Sequence, residues 1–236
     1  MNEIKNGIDA LVVAAGRGRR MGQGLNKVYL EIGGLPILRR TLLKLESVSL
    51  IKRIVVVIHP DDEEAFGSLL KMKPALKKFE KWVCGGEERS DSVRNGLRYL
   101  IQHDPASLVM VHDGARPFFG EALLIRMIEG LSDAEIAVPA LCVADTVRKK
   151  TEAGSEVVKR DELFLIQTPQ LFKSEKINPV FLDAESHKNF TDEAAYFEDL
   201  GLPVHFAEGE RFNIKITTPE DLKMAEYILS NQILFS

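Results

Sequence analysis

Cysteine is nearly absent. The 236 residues hold two, Cys84 and Cys142, too few for a zinc quartet or a disulfide framework. Each lies in an apolar run, which predicts a buried, reduced thiol. Long hydrophobic runs are missing as well: stretches such as Ile54 to Ile58 fall far short of the ~18 residues of a membrane span. There is no excess of positive charge either. Lys and Arg number 31 against 35 Asp and Glu, a net charge of −4, so no whole-molecule basic field recruits nucleic acid or an anionic membrane. Glu3 and Asp9 stand where a secretory leader would be basic and then apolar, and a cytoplasmic protein is expected. Repeats, low-complexity tracts and long linkers are lacking, so residues 1–236 are expected to form one domain.

What is present is an ordinary globular balance, 45% hydrophobic and 28% charged, which excludes a disordered chain or a fibre. Short apolar runs alternate with segments of helical period. Ile8 to Ala14 fits a buried parallel strand running into Gly16-Arg17-Gly18. An extended piece is expected from Val28 to Ile32, then a helix using Leu38, Leu42 and Leu45. Ile54 to Ile58, five consecutive β-branched residues, is the clearest strand. Pro60-Asp61-Asp62-Glu63 opens a helix, Lys81 to Cys84 reads as strand, and Val93, Leu97, Leu100 and Ile101 mark a helix face. Strands follow at Leu108 to Val111, Ile136 to Val143 and Val204 to Ala207, with helices at Glu121 to Leu131 and Lys173 to Leu200. Thr218-Pro219-Glu220-Asp221 starts the last helix, with an N-cap and a proline at its first position. Between about 145 and 170 the texture turns Thr/Val/Lys/Arg-rich around Gly154-Ser155, the signature of a hairpin arm. The class is therefore α/β, a mostly parallel sheet covered on both faces, whose chemistry belongs in the loops at the strands' carboxyl ends.

The first such loop, Ala14-Ala15-Gly16-Arg17-Gly18-Arg19-Arg20-Met21-Gly22, places Arg17, Arg19, Arg20 and Lys27 within eleven residues. Glycines there let backbone amides approach phosphate oxygens. It is no P-loop, because no glycine in this stretch precedes a lysine, and no dinucleotide fingerprint, because Met21 stands where the third glycine belongs. A solvated basic loop is the competing reading. Asp113, within His112-Asp113-Gly114-Ala115-Arg116-Pro117, is either a turn residue or the carboxylate of a Mg²⁺ that bridges phosphates. His112 reads as structural, since imidazole suits Mg²⁺ poorly. Gly86 to Val93 is a helix start, capped by Ser90 or Ser92, whose free amides also suit a ligand. Thr191-Asp192-Glu193 carries a second N-cap pattern. Lys215 lies in a strand-like stretch, Asn213 to Thr217, and Asp145, Thr146 and Arg160 sit on the arm, where a solvated surface is the plain reading.

Six segments occur in a single order: the first loop with its Lys27, Gly86 to Val93, His112 to Pro117, Gln167-Thr168-Pro169-Gln170, Thr191-Asp192-Glu193 and Asn213-Ile214-Lys215. From about Ala10 to Leu222 the chain resembles the 2-C-methyl-D-erythritol 4-phosphate cytidylyltransferases of non-mevalonate isoprenoid synthesis. It departs from their usual pattern at Val13, Val28, Glu87 and Gly114, none of which removes a charged group from the site. The resemblance implies a Rossmann-like nucleotidyltransferase sheet with a dimerisation arm. It also implies transfer of a cytidylyl group from CTP to methylerythritol phosphate, with Mg²⁺, giving CDP-methylerythritol and pyrophosphate. Carried over by motif, Ala14, Ala15, Gly16, Gly18, Gly86, Glu87, Ser92 and Gly114 would bind the nucleotide, and Asp113 the metal. Arg20, Lys27, Lys215 and Arg160 would be catalytic. Arg116, Thr146, Arg160, Thr191 and Lys215 would hold the acceptor, with Thr146 and Arg160 delivered by the second subunit of a homodimer that exchanges arms. Asp192 and Glu193 keep their plain reading as a helix start. Two other functions remain open on the residues: transfer to ribitol 5-phosphate, and a nucleotide-binding module without turnover.

Overall fold

The computed structural model describes residues 7–16, 26–177, 182 and 190–231. Strand β1 (Ile8–Val13) is followed by a 3₁₀ turn at Lys27–Tyr29 and a small ladder of β2 (Glu31–Ile32) and β3 (Leu35–Pro36). The extended piece expected from Val28 to Ile32 thus begins as a helical turn, because the Asn26 side chain accepts from the Val28 N–H and curls the backbone. Helix α1 (Ile37–Ser47), β4 (Ile51–Ile58), α2 (Glu63–Leu70), β5 (Phe79–Cys84), α3 (Arg89–Gln102), β6 (Leu108–Asp113), α4 (Glu121–Gly130) and β7 (Ile136–Cys142) continue the expected alternation.

The sheet is built around β1. It pairs in parallel with β4 on one side and β6 on the other, and β5 extends the row beyond β4. Val13, the last residue of β1, lies opposite both Val57 and Asp113. Parallel strands in register end together, so the loops that follow β1, β4, β5 and β6 open on one edge. This is the geometric reason that α/β sheets place ligands there. The β-branched and apolar residues of these strands are buried on both faces, as a doubly covered parallel sheet requires. Val12, Val56 and Met110 pack with Leu38, Leu42, Phe66 and Leu124 beneath α1, α2 and α4. Leu11, Val55 and Val109 pack with Val93, Leu97 and Leu100 of α3 on the other face. At Gly96 the helix comes so close to β1 that an added Cβ would lie 2.2 Å from Leu11 Cδ1. A glycine is what lets α3 sit this low.

After β7 the chain departs from the β–α rhythm, and the arm is shorter than expected. β8 (Val147–Thr151) and β9 (Gly154–Val158) form a two-stranded ladder of their own. β10 (Phe164–Ile166) then returns to the main sheet, with Phe164 opposite Cys142. β11 (Gln170–Lys173) fills the space between β6 and β7, antiparallel to both. The polar texture that suggests an arm ends near Arg160. The apolar residues Phe164 to Ile166 belong to the sheet. Lys173 closes a strand rather than opening a helix, and the helix expected from there to Leu200 is, among the described residues of that stretch, a 3₁₀ turn at Ser174–Lys176, Leu182 and α5 (Glu193–Asp199). β12 (Val204–Glu208) adds in parallel to the free edge of β7, and α6 (Pro219–Ser230) starts with the expected cap: the Thr218 hydroxyl accepts from the Asp221 N–H. Residues 213–217 form a loop, not the expected strand. Both cysteines are exposed rather than buried, because each is the last residue of its strand, at the loop edge.

At the opposite end of β1, Asp9 is fully buried and receives Arg53 Nη2 at 2.8 Å and the Ala106 N–H at 2.7 Å. The same guanidinium donates to the carbonyls of His103 and Asp104. One carboxylate thus ties β1, β4 and the α3–β6 link. Asp9→Ala would leave the buried Ala106 N–H unpaired and the Arg53 guanidinium with Glu80, at 3.4 Å, as its remaining carboxylate, and should cost about 1–3 kcal/mol of stability, read from urea unfolding at pH 7.

Candidate active site

The loops converge on a cleft of about 680 Å³. Ala14, Ala15 and Gly16 line it from the end of β1, and Lys27 and Val28 from the 3₁₀ turn. Asn26 fixes that turn. Its Nδ2 donates to the Ala14 carbonyl and to Asp62 Oδ2, both at 2.8 Å, so Lys27 is anchored to the end of β1 and to the 3₁₀ turn Pro60–Asp62 that follows β4. Gly18 and Arg20, like Arg17 and Arg19, lie outside the described residues.

Gly86, Glu87 and Ser92 form the wall at the start of α3. The cap is not a serine. Glu88 holds the N-cap position, and Asp91 Oδ2 accepts from its N–H at 3.1 Å. Ser92 Oγ instead accepts from the Gly86 N–H and donates to the Glu88 carbonyl, which folds residues 86–88 over the cleft. A side chain at Gly86 would meet Asp91 Cβ at 2.3 Å, so the turn needs glycine.

Asp113 and Lys215 complete the lining. Three cations reach the Asp113 carboxylate: Lys215 Nζ at 2.9 Å, Arg116 Nε at 3.5 Å and Arg89 Nε at 3.6 Å. Burial alone would raise its pKa, but Lys215, Arg89 and Arg116 outweigh it and hold the carboxyl well below the usual range. The group is an anion at any physiological pH. No set of three or more His, Cys, Asp or Glu side chains able to cage a metal occurs among the described residues. Glu87 and Glu88 also line the cleft, but Asp113 is its buried carboxylate at a strand end, and a Mg²⁺ that took its other ligands from substrate phosphates and water would be held there.

Sequence reasoning missed the support behind these groups. Gln167 Nε2 donates to the carbonyls of Glu210 and Asn213, Asn213 Nδ2 donates to the Thr168 carbonyl, and Arg116 Nη1 donates to the Asn213 carbonyl. With the Ile216 N–H on the Ala115 carbonyl, this network holds the loop that carries Lys215. The Gln167 to Gln170 motif was visible as a string, but its side-chain partners lie 22 to 46 residues further along the chain or 55 and 56 residues back, and no spacing rule links them. Arg89 and Glu193 were missed similarly. They form a two-pronged ion pair, Nη1–Oε1 2.8 Å and Nη2–Oε2 3.1 Å, across 104 residues. Burial disfavours the Arg89 cation, yet Glu193 and Asp113 prevail and raise its pKa. Asp192 does cap α5, accepting from the Ala195 N–H.

Other expected residues lie apart from the cleft lining. Gly114 is buried behind it, its N–H on the Val13 carbonyl and its Cα side against Leu38 and Ala14. Arg116 points at Asp113 and Asn213. Thr191 is exposed, just before the α5 cap. Thr146 and Arg160 line a separate cavity on the arm, where Arg160 Nη1 donates to the Ala144 carbonyl at 2.6 Å.

His112 is structural, as its chemistry suggested. Nε2 donates to the Arg116 carbonyl at 2.9 Å, and Nδ1 lies 3.1 Å from Thr168 Oγ1, which accepts from the Asp113 N–H. The hydroxyl proton therefore goes to Nδ1 in the neutral ring. Complete burial pushes the imidazole down to about 4 from its usual 6.5. Because the unfolded ring protonates first on acidification, the folded state loses stability as pH falls from 6.5 toward 4, by at most about 1.4 kcal/mol per pH unit. Chemical denaturation at pH 7, 6 and 5 should show this slope, flattened in His112→Gln.

The comparisons with known proteins agree with this geometry. The 2-C-methyl-D-erythritol 4-phosphate cytidylyltransferase family model matches residues 8–231. A protein of that name from Geobacillus kaustophilus is 39% identical over 227 residues, 95% of this chain and 98% of its own. Another from Bacteroides thetaiotaomicron is 40% identical over 219 residues, 93% and 98% of the two chains. The crystal structure of 4-diphosphocytidyl-2C-methyl-D-erythritol synthase from Anaerococcus prevotii superposes with a TM-score of 0.80 at 32% identity, over 95% of this chain and 96% of that one. With the match spanning every loop that builds the cleft, the chain belongs to the 2-C-methyl-D-erythritol 4-phosphate cytidylyltransferase family.

Proposed function

We propose that the cleft transfers a cytidylyl group from CTP to 2-C-methyl-D-erythritol 4-phosphate. The observation that carries this reading is the meeting of Lys27, Lys215 and the ionised Asp113 in one cleft walled by the Ala14–Gly16 backbone. An acceptor phosphate oxygen attacks the α-phosphorus of CTP, the bond to the β-phosphate oxygen breaks, and pyrophosphate leaves. A phosphate monoester has a second pKa near ~6 and is largely dianionic at neutral pH, so no general base is required. The barrier is the approach of two polyanions, and preorganised positive charge with alignment lowers it. Lys27 would face the charge that develops on the α-phosphate, a part the family resemblance also gives to Arg20. Lys215, which lines the cleft, would hold the acceptor phosphate, the part the family resemblance also gives to Arg116 and Thr191. Mg²⁺ bound at Asp113 would supply a further counter-charge to the triphosphate. Pyrophosphate release should appear with CTP, Mg²⁺ and methylerythritol phosphate. Transfer to ribitol 5-phosphate instead, or CTP binding without turnover, would overturn the assignment, and full activity without Mg²⁺ would remove the metal.

Charge removal in Lys27→Met should lower kcat by two or more orders of magnitude, since a preorganised donor at developing charge is worth about 3–4 kcal/mol. CTP affinity should fall less, because the loop amides remain. Turnover close to the parent's would take Lys27 out of the mechanism.

The arm supports a composite site in a homodimer. The β8–β9 hairpin forms a sheet of its own, Val157 is 61% exposed, and Phe164 and Leu165 nearby are about half exposed. An isolated hairpin is marginal in water, and exchange across a two-fold axis would cover both copies. Thr146 and Arg160 would then reach the neighbouring cleft. Refolding Lys27→Ala and Arg160→Ala chains together should restore activity above either alone, through heterodimers with one intact site. No gain, with exchange verified by mass, would exclude the composite site.

A further inference from the structure

We propose that Arg89 and Glu193 are positioning residues, a clamp through which the acceptor end of the cleft and the nucleotide end tighten together. The proposal rests on the acceptor reading given above. Arg89 is the first residue of α3, directly after the turn of Gly86 and Glu87 that walls the nucleotide end. Glu193 is the first residue of α5, two after Thr191. The guanidinium uses both edges. Its Nη1 and Nη2 grip the two oxygens of Glu193, and its Nε faces Asp113 Oδ1 at 3.6 Å. Glu193 is in turn held from behind, where Gln170 Oε1 accepts the N–H groups of Glu193 and Ala194 at 2.9 and 3.0 Å. A displacement of α5 is therefore passed to Asp113, and through it to Lys215, which lies on the carboxylate's other oxygen.

Stability alone does not account for the pair. The Glu193 side chain is 3% exposed, and a buried ion pair of this kind commonly does no better than apolar packing of the same volume. What it supplies is a fixed, directional link. Lysine could not replace Arg89, because a point charge cannot hold a carboxylate by two prongs while facing a second one.

The experiment uses a CTP analogue with a methylene group between its α and β phosphorus atoms, which binds without turnover. Its Kd is measured by calorimetry with and without methylerythritol phosphate, for the parent, Glu193→Gln, Arg89→Lys and the double variant Arg89→Gln/Glu193→Gln. In the parent the acceptor should tighten the analogue about tenfold, and in every variant the ratio should fall to within about twofold of one. Arg89 lines the cleft, so Kd without acceptor is read for each variant and only the ratio is scored; the double variant should lose no more of the ratio than either single, as for residues acting as one unit. A merely structural pair would instead lower Tm and weaken the analogue equally in both conditions. That result, or an unchanged ratio in Glu193→Gln and Arg89→Lys, overturns the clamp. Pyrophosphate release by the parent with CTP is scored separately: a parent that turns over but shows no coupling sinks the clamp alone, and a parent inert with this acceptor sinks the reading on which it rests.

Discussion

The site depends on one buried anion. Arg89, Arg116 and Lys215 come from α3, the β6 loop and the segment before α6, and each lies within 3.6 Å of the Asp113 carboxylate. Three cations gathered this closely would repel one another without it, and the desolvation of each would go uncompensated. Asp113 can play this part because β6 ends in register with β1, which puts its carboxylate at the mouth of the sheet. The electrostatics of the cleft thus follow from strand register. A polyanionic substrate meets positive charge already fixed in place, and little reorganisation remains for the reacting state.

The fold was largely legible because its signals are local. The β-branched run Ile54–Ile58, the Leu38/Leu42/Leu45 spacing and the Thr218 cap each encode their element within a few residues, and all three elements formed as expected. Misreadings fell where the deciding contact is distant or where texture misleads. Residues 213–217 look like a strand by composition. They form a loop whose backbone groups bond instead to Gln167, Ala115 and Arg116. Phe164 to Ile166 looked like the end of an arm, although they pair with β7. Apolar neighbours around Cys84 and Cys142 suggested burial, but a strand's last residue stands at the rim.

For the cleft, loop position after a strand pointed to Ala14–Gly16 and Asp113, whereas the family resemblance was what singled out Glu87, Ser92 and Lys215. Ala14, Ala15, Gly16, Lys27, Gly86, Glu87, Ser92, Asp113 and Lys215 share one lining. The second tier was illegible in principle. Gln167, Gln170, Asn213 and Glu193 act through partners set by topology, and a single sequence does not state which distant residues meet. His112 shows the limit from the other side: its chemistry argued against a metal ligand, but only the structure reveals the Thr168 hydroxyl and Arg116 carbonyl that fix its tautomer.

The pairing of Phe164 with Cys142 has a consequence for how the family can vary. The chain leaves the sheet at one member of a ladder pair and rejoins it at the other. Everything from residue 143 to 163 is therefore a closed excursion whose two ends are held a strand spacing apart, whatever its contour. Insertions or deletions within it change nothing in the alignment of β7, β10 and β11, and loop closure grows only slowly with length. The excursion can drift in length while the framework of its own subunit's cleft stays constant, and in the composite site proposed above only Thr146 and Arg160 would tie its composition to the chemistry.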